Sequence, residues 1–571
     1  MRDLELDEAL RIVGFGAFQV QKFFLLFFVG IFHGARMTSS IYFLLGAKHR
    51  CRVPGLTNDT YDTSSYSYEE QVLYNRSIPP SDSCHIYSLH HNFTYDEYNQ
   101  PENGSQFLQG CQYQHWVYQD DIVTNNAVMQ FHFVCDDSEL KTHATMLLYM
   151  GALFGGTFMG IVSDRFGRLK CLLLCVFIFL PCGIGLAWVK HFATFYVLQF
   201  IMGAVSTGMF TAALVIGLEL VEPSKRKVPG LFIMLFFTVG EFLLTASFYG
   251  LKDWLWVSLV ITAPTAFFFT YYWLVPESPR WLMLHKKYDQ VAAVLQSMAV
   301  KNGVELPGRQ QNEDLERLLQ SQEVDGAGEN RARKKDTFLD LFRSCVLACR
   351  TLAICFNWIV VNLIFYGFIL NAVYLKAGNE YVNSSIGAAV EVPAHLTTLA
   401  LVDKVGRKPV HIGMLVLAVL ASAAAMGAAL GCDSEHLYVV AILAMIGKYA
   451  AAGLMGTSFL WMTELFPTSV RATGLGVGSS FARIGALISP YIVHASLTIS
   501  DPKVGHAMPF IVFGLASLLA LLFNLILPET HGRPVLETVE QARNFGREPE
   551  NQALLNERDQ DRVQVYHSFD E

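Results

Sequence analysis

Two stretches decide the architecture: GIVSDRFGRLK (160–170) and ALVDKVGRKPV (400–410). Both read Asp, a base, one apolar residue, Gly, Arg, and both stand against apolar walls. MLLYMGALFGGTFM precedes the first and CLLLCVFIFL follows it. Working outward, apolar runs long enough to cross ~30 Å of hydrocarbon recur along the chain. The reading places them at 20–46, 143–162, 170–189, 193–217, 229–250, 254–275, 350–371, 382–401, 410–431, 437–461, 472–495 and 507–527. Six lie on each side of a polar stretch, so the two quoted clusters follow the second run of each set. A duplicated half would place them there.

Composition agrees. Of 571 residues, 52% are hydrophobic and only 16% charged, against ~25% charged in soluble domains. The chain therefore reads as an all-α polytopic membrane protein. Its organisation is a 1–19 N-terminus, a first half 20–275 with a large loop 47–142, a linker 276–349, a second half 350–528 and a tail 529–571. MRDLELDEALRIVGFGAFQVQK (1–22) is charged and amphipathic, unlike a secretory signal. A net charge of −8 gives no reason to expect nucleic acid.

Basic residues orient the spans. Arg165, Arg168 and Lys170; Lys225, Arg226 and Lys227; Lys404, Arg407 and Lys408; and Arg471 share one side when the N-terminus is inside. The opposite short loops hold only Lys190, Lys252, Lys376 and Lys503. Both termini and the linker, with its ENRARKK (329–335), are expected in the cytoplasm, and 47–142 outside. That loop carries sequons at Asn58, Asn75, Asn92 and Asn103 and four cysteines, Cys51, Cys84, Cys111 and Cys135. Glycosylation and two disulfides are expected, in any of three pairings.

The paired clusters read as latches. Asp164 and Asp403 end helices, Gly167 and Gly406 turn the chain, and Arg165, Arg168, Lys404, Arg407 and Lys408 supply charge that can break and reform across a bundle interface. The clusters resemble the loop signature D-R-x-G-R-[RK] of the major facilitator superfamily. Four further stretches resemble the organic ion transporter family within it: PESPRWL (276–282), ELFPTSVR (464–471, with Glu464 and Arg471), LPET (527–530) and VGFGAFQ (13–19). So does the long cysteine-bearing first loop. The resemblance covers residues 10 to 535. It implies twelve transmembrane helices in two six-helix halves, and a transporter of organic cations, organic anions or carnitine-like zwitterions at the plasma membrane. No resident cofactor is expected, and proton or sodium coupling stays open.

Ionisable groups inside spans usually face a cavity or a partner. Arg483 lies mid-helix in GSSFARIGALISP (478–490) and can grip a carboxylate bidentately; an ion pair with Glu241 is the alternative. Anion and carnitine-type members resemble this Arg context, whereas cation carriers have an Asp nearby. Glu241, in TVGEFLLTA (238–246), can pair with Arg483, bind an ammonium or carry a proton; the family more often has Tyr or Gln there. His395 follows the Pro-Ala pair after which anion members have Lys. Arg36, in IFHGARMTSSIYF (31–43), would line the cavity or meet an acid. Lys448, in MIGKYAAAG (445–453), resembles a family G-K-F/Y pattern, and Tyr366 matches a cavity-lining Tyr. Aromatic faces suit quaternary ammonium groups. The tail offers one acidic dileucine pattern, ENQALL (550–555).

Two other classes fit the sequence less well. A membrane enzyme finds no His-Glu-x-x-His, Gly-x-Ser-x-Gly or Cys-x-x-Cys. A non-transporting sensor on the same fold would not need two matched latch loops.

Overall fold

The computed structural model describes residues 2–545 except 57–58, 65, 80–81, 88–107, 112–115, 223–224, 226, 305–340, 375–378, 432–436, 468–469, 534–535 and 537–538. Among the described residues, twelve long helical runs carry the fold. The first half holds α2 (Ala17–Thr38), α4 (Glu139–Phe166), α5 (Arg168–Leu186), α6 (Phe192–Glu219), α7 (Lys227–Leu251) and α8 (Trp254–Thr262). The second holds α11 (Cys345–Tyr374), α12 (Glu380–Val402), α13 (Arg407–Gly431), α14 (Leu437–Leu465), α15 (Arg471–Thr498) and α16 (Pro502–Asn524). Short pieces are α1 (Arg2–Val13), α3 (Tyr68–Ser77), α9 (Pro279–Leu284), α10 (Tyr288–Asn302) and α17 (Val539–Asn544). Helix is the element that satisfies every backbone group within one segment, which hydrocarbon demands.

Among the described residues, eleven runs are long and apolar enough to cross a membrane. The twelfth, α15, has 28 residues and carries Arg483. After α8, Pro264 cannot donate to the ladder, and the run tightens into a 3₁₀ segment, Ala263–Thr270, before ending at Leu274. The seventh run begins at Cys345, five residues before the expected start.

Packing repeats between the halves. In the first, α6 lies on α2, α4 and α5, and α7 on α2; in the second, α14 lies on α11, α12 and α13, and α15 on α11. The halves meet where α4 touches α15 and α7 touches α12, two contacts that exchange under the repeat. Matched glycines set two of these spacings. A Cβ on Gly240 would strike the Ile31 carbonyl, and one on Gly485 the Ile359 carbonyl, so α7–α2 and α15–α11 approach backbone to backbone. Glu241 sits beside the first glycine and Arg483 two residues before the second.

At one end of the bundle, the 47–142 segment forms two antiparallel ladders. β1 (His49–Cys51) pairs with β4 (Trp116–Tyr118), and β2 (His85–Tyr87) with β3 (Leu108–Gly110). Of the three pairings left open, the structure has Cys51–Cys111 and Cys84–Cys135, with Cα separations of 5.4 and 5.8 Å. Arg50 is buried against Asp59. Burial alone would raise the Asp59 carboxyl; hydrogen bonds from Arg50, Tyr66 and the Val53 amide, with the Arg50 charge, outweigh it and hold the group below the usual carboxylate range. Of the four sequon asparagines, Asn75 stands exposed on α3; Asn58, Asn92 and Asn103 lie outside the described residues. The segment is tied to both halves: Tyr381, at the start of α12, donates to the carbonyls of Ile122 and Phe248. Tyr42 and Tyr249 flank the Tyr381 ring.

At the other end, Asn302 of α10 clasps the start of α2. Its Oδ1 accepts from the Phe18 amide at 2.9 Å and its Nδ2 donates to Gln19 Oε1 at 2.9 Å. The linker stretch 305–340 and the dileucine pattern lie outside the described residues. The tail is not wholly irregular: Arg350 donates to the Ala542 and Phe545 carbonyls, which fixes α17 against α11.

Candidate functional site

The two turns form one cluster drawn twice. Arg168 pairs with Asp164 at 3.0 Å and Glu219 at 3.2 Å; Arg407 pairs with Asp403 at 3.5 Å and Glu464 at 3.2 Å. Glu277 accepts the amides of Arg168 and Leu169 at 2.9 and 3.2 Å. Glu529 accepts those of Arg407 and Lys408 at 3.1 and 2.9 Å. A carboxylate thus caps the first turn of α5 and of α13, where orphan amides and the helix dipole favour an anion. Trp281 Nε1 closes the first cluster on the Asp164 carbonyl at 2.8 Å, and Trp461 Nε1 closes the second on Pro528 at 3.2 Å.

Among the described residues, these ion pairs do not cross between the halves as expected. Each cluster ties helices of its own half, and Asp164 is 76% exposed. Arg165 and Lys404 are exposed, Lys408 Nζ donates to the Leu525 carbonyl at 2.9 Å, and the side chain of Arg471 lies outside the described set. Glu219, Glu277 and Glu529 were missed. The signal was present: Pro-Glu-Ser (276–278) and Pro-Glu-Thr (528–530) follow the last span of each half.

Gly167 and Gly406 have φ of +111° and +110°, a region that favours glycine. A Cβ on Gly167 would also meet Glu277 Oε2. Gly167→Ala is expected to cost about 1–3 kcal/mol and to lower the thermal unfolding midpoint in detergent. An unchanged midpoint would remove the turn from the fold's essential parts.

Within the bundle, three helices from both halves converge. Lys448 of α14 lies 3.2 Å from Glu241 of α7 and 3.0 Å from Glu391 of α12. All three are buried. Thr238 of α7 donates to Glu391 at 2.8 Å. The Glu241–Arg483 pair weighed from sequence does not form; Lys448 takes that role, and Glu391 is a third member that sequence reading left out. Two carboxylates therefore share one ammonium across the join between halves.

Arg483 makes no ion pair or hydrogen bond among the described residues; Tyr366 acts on it electrostatically, and its charge also reaches His33 of α2. Tyr366 is in turn within electrostatic reach of Arg483, Glu241 and Glu391, and its ring lies 4.8 Å from that of Tyr149, on the opposite half. His395, one turn beyond Glu391, is buried with Nδ1 unpartnered. Arg36 does not join this group. It is buried in the first half, with Gln199 and Ser39 as its hydrogen-bond partners. His33 beside it bonds Ser206 at 2.9 Å and stacks on Phe210.

The join thus holds a guanidinium without an ion-pair partner among the described residues, a tyrosine pair and a triad of two acids and one base. Facing helices of two repeats that bring such groups together are the arrangement of secondary transporters. Comparison with known proteins agrees. Residues 84–542 match the family described as "Sugar (and other) transporter". The "Organic cation transporter-like protein" of Drosophila melanogaster is 31% identical over 96% of this chain and 94% of its own length. The "Organic cation transporter protein" of the same fly is 30% identical over 96% of this chain and 97% of its own length. "Solute carrier family 22 member 1" of Oryctolagus cuniculus is 28% identical over 95% of this chain and 96% of its own length. In fold, the proton:xylose symporter XylE of the major facilitator superfamily superposes with a TM-score of 0.57 at 16% identity, covering 90% of this chain and 98% of that one. The chain belongs to the sugar (and other) transporter family, within its organic cation transporter branch, and is a membrane transporter rather than an enzyme.

Proposed function

We propose that this transporter carries a small zwitterion of carnitine-like chemistry by alternating access at the join between its halves. Arg483 holds the carboxylate, and the tyrosine faces of Tyr366 and Tyr149, backed by Glu241 and Glu391, hold the cationic group. His395, one turn along from Glu391, adds a neutral polar wall. One observation carries the reading: a guanidinium inside the bundle without a protein counter-charge among the described residues, when such a group is costly unless a ligand satisfies it. The basic clusters favour an orientation with both termini cytoplasmic and 47–142 outside the plasma membrane.

A purely cationic substrate is the second reading. It is favoured by the triad, which has two acids and one base. Uptake into cells of three labelled probes, a quaternary ammonium, a dicarboxylate and a carnitine-like zwitterion, separates them. The expected result is preference for the zwitterion. Uptake of the quaternary ammonium alone would leave Arg483 without a ligand and overturn the first reading.

A further inference from the structure

Charge at the triad does not balance. Glu241 and Glu391 come from opposite halves and meet at one Lys448 nitrogen, 3.2 and 3.0 Å away. Glu241 exposes 5% of its surface, Glu391 none and Lys448 3%. Glu241 Oε1 has no hydrogen-bond partner among the described residues, although it is a strong acceptor with no access to bulk water. Glu241 and Lys448 also line a small cavity with Thr38, Thr245, Asn383 and Ser384.

Among the described residues no second cation makes an ion pair with either carboxylate: Lys448 is the one in contact, Arg36 of α2 bonds Gln199 and Ser39, and Arg483 of α15 faces Tyr366. From the short turn Ser40–Phe43 that follows α2 the ionisable neighbour is Tyr42, from α4 Tyr149, and from α11 Tyr366. From α12 it is His395 and from α14 Lys448 itself. Helix α8 has no ionisable residue; those of α6, Tyr196 and Glu219, and of α13, Arg407, Lys408 and His411, lie in or near the end turns. Two carboxylates that share one site resist being charged together, and the titration belongs to the pair rather than to either residue.

We propose that Glu241 and Glu391 hold one exchangeable proton between the halves, and that the cationic group of the substrate displaces it. The carboxylate pair takes the proton from solution when the halves close on it. It gives the proton back when a substrate ammonium supplies the missing charge or when the halves part and water reaches each acid. Proton and substrate then bias the same two-state element, so each weakens the other's binding by the same factor. The inference rests on the site proposed above for the substrate, yet its test needs no organic ion.

Infrared difference spectra of the purified full chain, taken without substrate from about pH 5 to about pH 9, read the protonated-carboxyl C=O stretch directly. Wild type is expected to show one such band near neutral pH that vanishes as pH rises. Glu241→Gln and Glu391→Gln should each abolish it, since the remaining acid then balances Lys448. Absence of the band in wild type overturns the proposal, and so does its persistence in both variants. A wild-type band together with failed zwitterion uptake would keep the proton site and sink the substrate reading alone.

Discussion

Arg483→Ala is expected to abolish uptake of a carboxylate-bearing zwitterion while leaving the folded protein at the cell surface. Truncating one partner of a buried, hydrogen-bonded charge pair costs about 2–5 kcal/mol, a loss of ~30-fold or more in binding. The guanidinium has no ion-pair or hydrogen-bond partner among the described residues, so its removal strands no carboxylate. Thermal stability in detergent should therefore hold or rise, because an uncompensated internal charge has gone. Arg483→Lys should recover only part of the uptake: an ammonium lacks the planar fork that meets a carboxylate with two parallel bonds. Full uptake by the alanine variant would take Arg483 out of the site. A collapse in stability would instead assign it a structural partner.

Lys448→Ala should behave in the opposite way and lose the protein itself. Removing the ammonium leaves Glu241 and Glu391 facing each other in a dry interior across the join of the halves. Breaking a buried ion pair by deleting one partner costs about 3–5 kcal/mol, chiefly the penalty of the orphaned charge. Surface level and unfolding midpoint should both fall. Lys448→Met combined with Glu241→Gln and Glu391→Gln should restore much of the fold, since neutral groups of similar volume need no counter-charge. The triple variant is expected to be inactive. A stable Lys448→Ala single variant would show that the triad is not a buried charge network.

These two basic residues look alike in the sequence, each one cation in an apolar run. Their roles separate in space. Arg483 is the residue left unpaired, and Lys448 is the one that holds two acids from other helices. The first pairing weighed for Glu241 was Arg483, a residue 242 positions downstream. Choosing between two cations at such range depends on which helix faces which, and hydropathy carries no such information.

The amino-acid sequence by itself determined the membrane class, the number of spans, the two-half repeat and the paired turns. Each of these rests on local chemistry: ~20 apolar residues to cross hydrocarbon, and Asp, Gly and Arg at fixed offsets to end one helix and start the next. It marked Arg483, Glu241, His395, Arg36 and Lys448 as unusual because an ionisable group inside a span is costly wherever it points; Tyr366 stood out only through the family resemblance. The tertiary structure alone decided the partners. Arg36 met Gln199 inside one half. Glu391 entered the triad from a span of modest hydropathy that already begins with Glu380, in which one more acid draws no notice. Glu277 and Glu529 proved to cap α5 and α13 from loops 108 and 121 residues away. Disulfide pairing and, among the described residues, the partners of each turn cluster within its own half were settled the same way. The physical reason is common to all of them: the cost of burying a charge is a property of one residue, whereas the group that relieves it is chosen by helix packing, which brings together residues far apart in the chain.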